Sequence, residues 1–262
     1  MIRRQLLAAV VLGTSGLALG GCSLFGAVSK ASDAMAARLR TWLESDPRVV
    51  SIQNLVGDNY EGAVRARADV TLVTPLTTAL VTDFMAAFFA SAGSDRWEIS
   101  VASRVAFSLR STDDNAPVRS LPALWGHLTA EPGLSGGRVM ADRSGTTFDV
   151  TVADDPVAHG LRLVGTDWAA PVKEYFVRGA DTSRTCSYTA DIVDPADVAA
   201  LQRFAAAYRG SMSLTMRGTQ RGELILRPPA ADVDAVKALV AGIGVPSSFK
   251  VSYQGAPSAS RS

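Results

Sequence analysis

The sequence predicts an α+β protein made of three αββαβ units, with helices packed on one face of mixed or antiparallel sheets. Three observations predict this fold class. Some apolar residues recur at helical spacing, others alternate with polar residues as strands do, and the two patterns follow each other in the same order three times. Two helices on one sheet face would give each unit a two-layer core.

The first unit spans residues 33–110. Helical spacing over residues 35–43 predicts a helix, and a short strand follows over residues 49–52. The segment AVRARADVTLV alternates strictly between apolar and polar residues and predicts the second strand. Thr74 directly before a proline predicts the start of the second helix, and residues 97–109 alternate as the final strand.

The same order returns over residues 119–180 and over residues 184–254, where an extra strand, RTCSYTADI, comes first. Proline directly after Asp155 and Asp194 predicts helix starts, because the carboxylate caps the first turn and proline fits the first helical position. Bulky aromatic residues lie at matching places in the three units, and we expect them to pack helices onto sheets: Trp42, Trp125 and Tyr208 near the end of each first helix, and Trp97, Trp168 and Phe249 at the start of each final strand.

Glycine opens the second strand of each unit, in Gly62-Ala-Val, Gly145-Thr-Thr-Phe and Gly222-Glu-Leu, and the second helix is apolar. In this order of elements the chain resembles the BON domain, a small αββαβ module of exported bacterial proteins. A later glycine of that family's strand is absent in all three units. The resemblance implies association with membranes or envelope surfaces without catalysis, and it identifies no ligand.

The N-terminus has the layout of a secretory leader, since two arginines precede an uncharged apolar stretch over residues 6–20. Its last four residues, Leu19-Gly-Gly-Cys22, resemble the bacterial lipobox. That resemblance implies a signal peptide over residues 1–21, cleavage before Cys22, a diacylglycerol on its thiol and a palmitate-type acyl chain on the new N-terminus. Two or more acyl chains give stable anchoring. The alternative is an ordinary leader in which the cysteine has no role.

The placement that follows is the extracytoplasmic side of a cell membrane. Residues 22–32 are expected to form a short tether and residues 255–262 a disordered tail. Arg3 and Arg4 weakly resemble a twin-arginine signal, so the export route stays open, as does the choice between inner and outer membrane.

Charge argues against a nucleic-acid partner. Removing residues 1–21 takes away two arginines and no acid, which changes the formal charge from +1 to −1. No basic tail or stripe stands out. Four arginines of the first unit are candidates for a basic sheet face that would meet anionic lipid or wall polymer: Arg65, Arg67, Arg104 and Arg110. The alternative is a solvated outer face balanced by Asp69 and Glu98.

One motif suggests catalysis. Residues 133–137 match GxSxG, and an aspartate at 154 or 155 and His159 follow Ser135 in the chain order of α/β-hydrolases. The context is wrong, because the motif needs a buried strand before the serine and a helix after it. A glycine-rich turn is therefore preferred to a serine hydrolase.

Metal and cofactor sites are not expected. His127 and His159 are the only histidines, and neither has another histidine or a cysteine at ligand spacing. Cys186 alternates with apolar residues in its strand and is expected to be a small buried hydrophobe.

The sequence therefore predicts a lipid-anchored, extracytoplasmic, non-catalytic protein that binds a partner envelope protein, lipid or wall polymer. A structural scaffold lipoprotein, whose repeats pack into one rigid body, is the alternative.

Overall fold

The computed structural model describes residues 21–60, 63–164, 166–180, 183–189, 194–217 and 222–254. Within these ranges the helices are Gly21–Ser45 (α1), Thr78–Ala92 (α2), Ala116–Arg119 (α3), Leu121–Ala130 (α4), Pro156–Leu163 (α5), Pro195–Ala207 (α6) and Val233–Ile243 (α7). The strands are Val49–Tyr60 (β1), Ala63–Leu72 (β2), Trp97–Val101 (β3), Val105–Arg110 (β4), Leu134–Asp142 (β5), Gly145–Val152 (β6), Val172–Gly179 (β7), Arg184–Thr189 (β8), Ser211–Arg217 (β9), Gly222–Arg227 (β10) and Phe249–Tyr253 (β11).

All eleven of these strands form one mixed sheet, in which the spatial order is the chain order from β1 to β11. Antiparallel and parallel pairs alternate strictly: β1 with β2 is antiparallel, β2 with β3 is parallel, and so on to β10 with β11. Each parallel pair is joined by a helical crossover, as parallel strands require. Because such crossovers are right-handed, a sheet that always adds its next strand on the same side places its helices on one face.

The core lies between that face and the helices. The registers align the buried strand residues in rows across the sheet, of which one contains Phe107, Val139, Phe148, Tyr175, Tyr188 and Met216. Every longer helix contributes to the same apolar cluster: Leu39 from α1, Phe84 and Phe88 from α2, Trp125 from α4, Leu161 from α5, Phe204 from α6 and Val236 from α7. We call this side of the sheet the covered face.

The aromatic residues that the repeats align pack into this core. Trp42 contacts Phe84, Phe88 and Trp97 with ring centroids 5.6–5.7 Å apart. The indole nitrogen of Trp125 donates a 2.8 Å hydrogen bond to the carbonyl of Val105. These contacts support the packing role expected from the sequence.

The helix starts agree with the sequence at two positions and differ at a third. Asp155 and Asp194 cap α5 and α6, each accepting a backbone N–H two residues ahead, with proline at the first helical position. The prediction from Thr74 was wrong, since α2 begins at Thr78 and its cap is Thr77. The hydroxyl of Thr77 accepts a hydrogen bond from the backbone N–H of Leu80, three residues ahead.

The single strand predicted over residues 97–109 is two strands, because the chain turns back between Val101 and Val105. The segment 22–32, which was expected to be a tether, lies in helix α1. The sheet is continuous, so the units are not separate sandwiches. Residues 1–20 of the predicted leader, Gly62 and the tail 255–262 lie outside the described residues.

Helix α1 packs closely on the first strands. Leu39 and Leu43 are fully buried, and Ser32 is 6% exposed. At Gly57 of β1, an added Cβ would lie 2.0 Å from the carbonyl oxygen of Ser32, so only glycine permits this approach of helix and strand.

Candidate functional site

The second face of the sheet is the candidate site, because no described element covers it. Its side chains alternate with the buried rows, and each of them keeps part of its surface exposed. We call it the open face. Its members are mainly hydroxyl-bearing and charged: Arg67, Asp69, Glu98, Ser100, Ser108, Arg110, Arg138, Met140, Thr147, Asp149, Glu174, Phe176, Arg178, Thr185, Ser187, Ser213, Thr215, Glu223 and Lys250.

Three of the four predicted arginines meet at one end of the open face, where acids balance them. Arg65 pairs with Asp58 at 2.6 Å and with Glu98 at 3.3 Å. Arg67 lies 3.7 Å from Asp58, and Arg110 lies 3.7 Å from Glu98. This arrangement favours the balanced surface that the sequence offered as the alternative, with Asp58 as an additional acid.

Arg104 is not part of that group. It lies in the turn between β3 and β4 at the opposite end of the strands, and its guanidinium donates to the carbonyl of Thr129 at the end of α4. Its charge therefore belongs to another surface.

The middle of the open face contains two exposed apolar side chains among polar ones. Phe176 is 43% exposed and Met140 is 39% exposed. Asp149, the cross-strand neighbour of Phe176 on β6, accepts a 2.5 Å hydrogen bond from Arg178. Arg138 donates a 2.8 Å hydrogen bond to Ser108. Phe176 was not predicted to be a surface residue, although KEYFV alternates and its neighbours Tyr175 and Val177 are buried.

The open face is shallowly concave next to this region. A depression of about 490 Å³ is lined by Val56, Arg67, Asp69, Glu98, Ser100 and Arg138. Beyond Phe176, hydroxyl groups pair across strands, Thr185 with Ser213 at 2.9 Å and Ser187 with Thr215 at 3.2 Å. A hydroxyl that makes one such bond still has donor or acceptor capacity for a ligand.

The serine-hydrolase alternative lacks its central contact. Ser135 lies in β5, and its hydroxyl donates a 2.9 Å hydrogen bond to the carbonyl of Thr151. His159 is fully buried in α5, and its Nε2 has no hydrogen-bond partner. A triad needs the serine hydroxyl bonded to the imidazole, and these two residues do not make that bond. The expected glycine-rich turn is also only partly correct, since residues 134–137 belong to β5 and only Gly133, with φ +78°, lies in a turn.

The surroundings of His159 are charged. Its Nδ1 accepts a 2.9 Å hydrogen bond from Arg162 and lies 3.7 Å from the Asp154 carboxylate. Burial, and then the positive charge of Arg162, lower the pKa of His159. His127, in contrast, is exposed and stacks on Trp168 with ring centroids 5.3 Å apart.

Cys186 is on the covered face, as expected from its strand pattern. It is 1% exposed, and burial raises the pKa of its thiol to about 12. A thiol of this kind is a poor nucleophile at neutral pH.

Beside Cys186, Arg184 forms a buried ion pair that the sequence analysis missed. It donates two hydrogen bonds to the capping carboxylate of Asp155, at 3.0 and 2.8 Å, and others to carbonyls at the end of α6. The pair therefore fixes β8, α5 and α6 to one another.

The predicted lipidation residue, Cys22, lies in the first turn of α1, and its side chain is not among those the structure describes. Over the described ranges, no helix combines the length and apolar character that crossing a bilayer requires. In the same part of the chain, no three His, Cys, Asp or Glu side chains come together as metal ligands would.

The fold and the open face together define a class: a single-sheet α+β protein with one helical layer and one uncovered polar face. Comparisons with known protein families, with curated proteins and with solved structures find no match.

Proposed function

We propose that the protein is a lipid-anchored, extracytoplasmic, non-catalytic binding protein of the bacterial cell envelope, and that the open face is its binding surface. The observation that carries this proposal is the uncovered face itself. Eleven strands at about 4.8 Å spacing give it a width of about 48 Å. The anchor rests on the lipobox resemblance at Cys22.

We also propose that the chain contains three BON-like αββαβ units. In support, the order helix, strand, strand, helix, strand occurs from α1 to β3, from α4 to β7 and from α6 to β11. Each has an antiparallel pair followed by a parallel pair, and β4 and β8 join the units into one sheet.

The ligand classes that fit are a partner envelope protein, lipid and wall polymer. Balanced charges and paired hydroxyls suit a ligand that is recognised by hydrogen bonds, and Phe176 offers an aromatic surface for stacking.

Binding assays with matched variants test this proposal. The mature chain carrying Cys22→Ser is mixed with isolated cell wall or anionic vesicles and sedimented, and the full chain is crosslinked in living cells to capture proteins. We expect Phe176→Ser to weaken whichever interaction is present by about tenfold, while Ala123→Ser, an exposed change on α4, leaves it unchanged. Equal binding by both variants would remove the open face from the proposal.

A structural scaffold is the second candidate, favoured by the continuity of the sheet across all three units. A scaffold would bind neither wall nor vesicles in the sedimentation assay, yet it would capture specific envelope proteins in cells. Mass spectrometry of the mature N-terminus tests the anchor in either case, since an unmodified Cys22 contradicts it.

A further inference from the structure

A groove in the helical layer lies between α2 and α4, on the opposite side of the sheet from the open face. The two helices approach closely at one place, where an added Cβ at Gly126 would lie 2.5 Å from the hydroxyl of Thr78. Away from this contact, a groove of about 490 Å³ separates α2 from residues 114–122. Its volume is in the range of small-molecule sites.

The lining of the groove is mainly apolar. Pro122 of α4 contributes to it, together with one stripe of α2 whose members are three or four residues apart: Thr82, Met85, Ala86, Phe89 and Ala90. Met85 is 4% exposed and Phe89 is partly buried, whereas both alanines are exposed. A larger side chain at either alanine would therefore occupy part of the groove.

The dimensions of the groove favour an extended chain over a helix. Thr82 and Ala90 are eight residues apart on α2, which corresponds to about 12 Å. Dividing the volume by this length gives a mean cross-section of roughly 40 Å². An α-helix with its side chains is about 10 Å across and has about twice that cross-section, so it would not enter the groove. A single hydrocarbon chain is much narrower.

An ion pair lies beside the apolar lining. Asp114 and Arg119 both line the groove, and the guanidinium donates hydrogen bonds of 2.8 and 3.1 Å to the carboxylate. The side chain of Arg119 is 70% exposed and that of Asp114 is 41% exposed. Because an exposed pair contributes little to stability, a ligand can exchange partners with it at small cost. A ligand with one charge of each sign would satisfy both groups.

We propose that this groove binds a single-chain lipid with a zwitterionic head group, such as a lysophospholipid. The hydrocarbon chain lies along Ala86 and Phe89, where burial of apolar surface drives binding. The phosphate pairs with Arg119 and the ammonium with Asp114, which fixes the orientation of the lipid. The site is separate from the open face, and it depends neither on binding by that face nor on acylation of Cys22.

Titration calorimetry with lauroyl lysophosphatidylethanolamine, kept below its critical micelle concentration, tests the site. The mature chain carrying Cys22→Ser is compared with two further variants. Ala86→Trp places a large ring in the groove, and Ala238→Trp places the same ring at an exposed position of α7. We expect one lipid per chain, at least about tenfold weaker binding by Ala86→Trp because the lipid loses its apolar contact, and no change in Ala238→Trp. Neither change removes a packed side chain, and circular dichroism checks that both variants fold.

The head group is tested with dodecyl maltoside, which has a similar hydrocarbon chain and an uncharged head. We expect it to bind at least about fivefold more weakly than the lysophospholipid, and Arg119→Gln to reduce this difference. Equal affinity for the two amphiphiles, or lipid binding unchanged by Ala86→Trp, would overturn the proposal. Absence of lipid binding would also overturn it, and loss of a protein crosslink in living cells by Ala86→Trp alone would then assign the groove to a partner protein. These outcomes leave the open face untouched, because Phe176→Ser tests that face separately.

Discussion

The two faces of the sheet share the same strands and have opposite surroundings. Tyr175 is fully buried and Phe176, the next residue, is 43% exposed. Cys186 is buried and Ser187 beside it is partly exposed. One face thus carries the apolar contacts that stabilise the fold, while the side chains of the other stay in contact with solvent. Matched substitutions on neighbouring residues measure how completely these roles are separated.

The largest contrast is expected in thiol reactivity. Cys186 has a thiol pKa of about 12, whereas a cysteine on the open face should titrate near its ordinary value. At pH 8 we expect Ser187→Cys to react with iodoacetamide at least about 1000-fold faster than Cys186, because the thiolate is the reactive form. Mass spectrometry of the labelled sites measures both rates. Fast labelling of Cys186 in the folded wild-type protein would contradict its burial.

Aromatic truncation should separate the faces in stability. Phe148 is fully buried and packs on Tyr175 with ring centroids 5.0 Å apart, so Phe148→Ala should lower the free energy of unfolding by about 4 kcal/mol. Phe176→Ala, on the next strand, should change it by no more than about 0.5 kcal/mol. Urea unfolding followed by circular dichroism gives both values. Similar losses would mean that the open face is covered in solution.

Two Arg–Asp pairs provide a further contrast. The pair of Arg184 with Asp155 is nearly buried, and Arg184→Ala should cost about 3 kcal/mol because the carboxylate then keeps only Arg209, at 3.7 Å, and the carbonyls at the end of α6 lose their donor. The pair of Arg178 with Asp149 is exposed, and Arg178→Ala should cost less than about 1 kcal/mol. Thermal and urea unfolding test the ranking, which a larger loss for Arg178→Ala would reverse.

The smallest predicted effect is a pH dependence. The pKa of His159 is lower in the folded protein than in the unfolded chain, so protonation favours unfolding. This contribution to stability is present above the unfolded pKa of about 6.5 and is lost as the pH falls through the folded value, with a slope of at most about 1.4 kcal/mol per pH unit. Unfolding curves between pH 8 and 5 should show a smaller slope for His159→Gln than for the wild type.

The exposed histidine is the control for that measurement. His127→Gln removes the other histidine, which stacks on Trp168 at the surface, and is measured beside His159→Gln. If the two variants behaved alike, the acid sensitivity would come from other groups.

Local patterns in the sequence predicted much of the fold. Alternation placed Cys186 on the covered face, and Asp155 before proline identified the start of α5, because both signals depend only on neighbouring residues. The sequence could not indicate that the described strands, β4 and β8 among them, form one continuous sheet, since strand pairing between distant segments leaves no local pattern. Arg184 was missed for the same reason, because its partner Asp155 is 29 residues away.

The site was less predictable than the fold. Glu98 was foreseen as a balancing acid for the arginines of the first unit, but Asp58 was not, because it faces Arg65 and Arg67 only across strands. The sequence did not indicate that residues 22–32 are helical, because small and polar residues such as Ser29 and Ala31 are compatible with both helix and coil. Ser29 and Ala31 lie in the same helix as the turns that pack on β1 at Ser32 and beyond.

The strand order has a consequence for how the chain acquires its structure. Each strand pairs only with its predecessor and successor, so every new hairpin or crossover can add to an edge that already exists. Such sequentially local assembly is faster than the closure of distant segments. It also suits a polypeptide that is delivered from its N-terminus, because the earliest strands can be ordered before the last ones have been made.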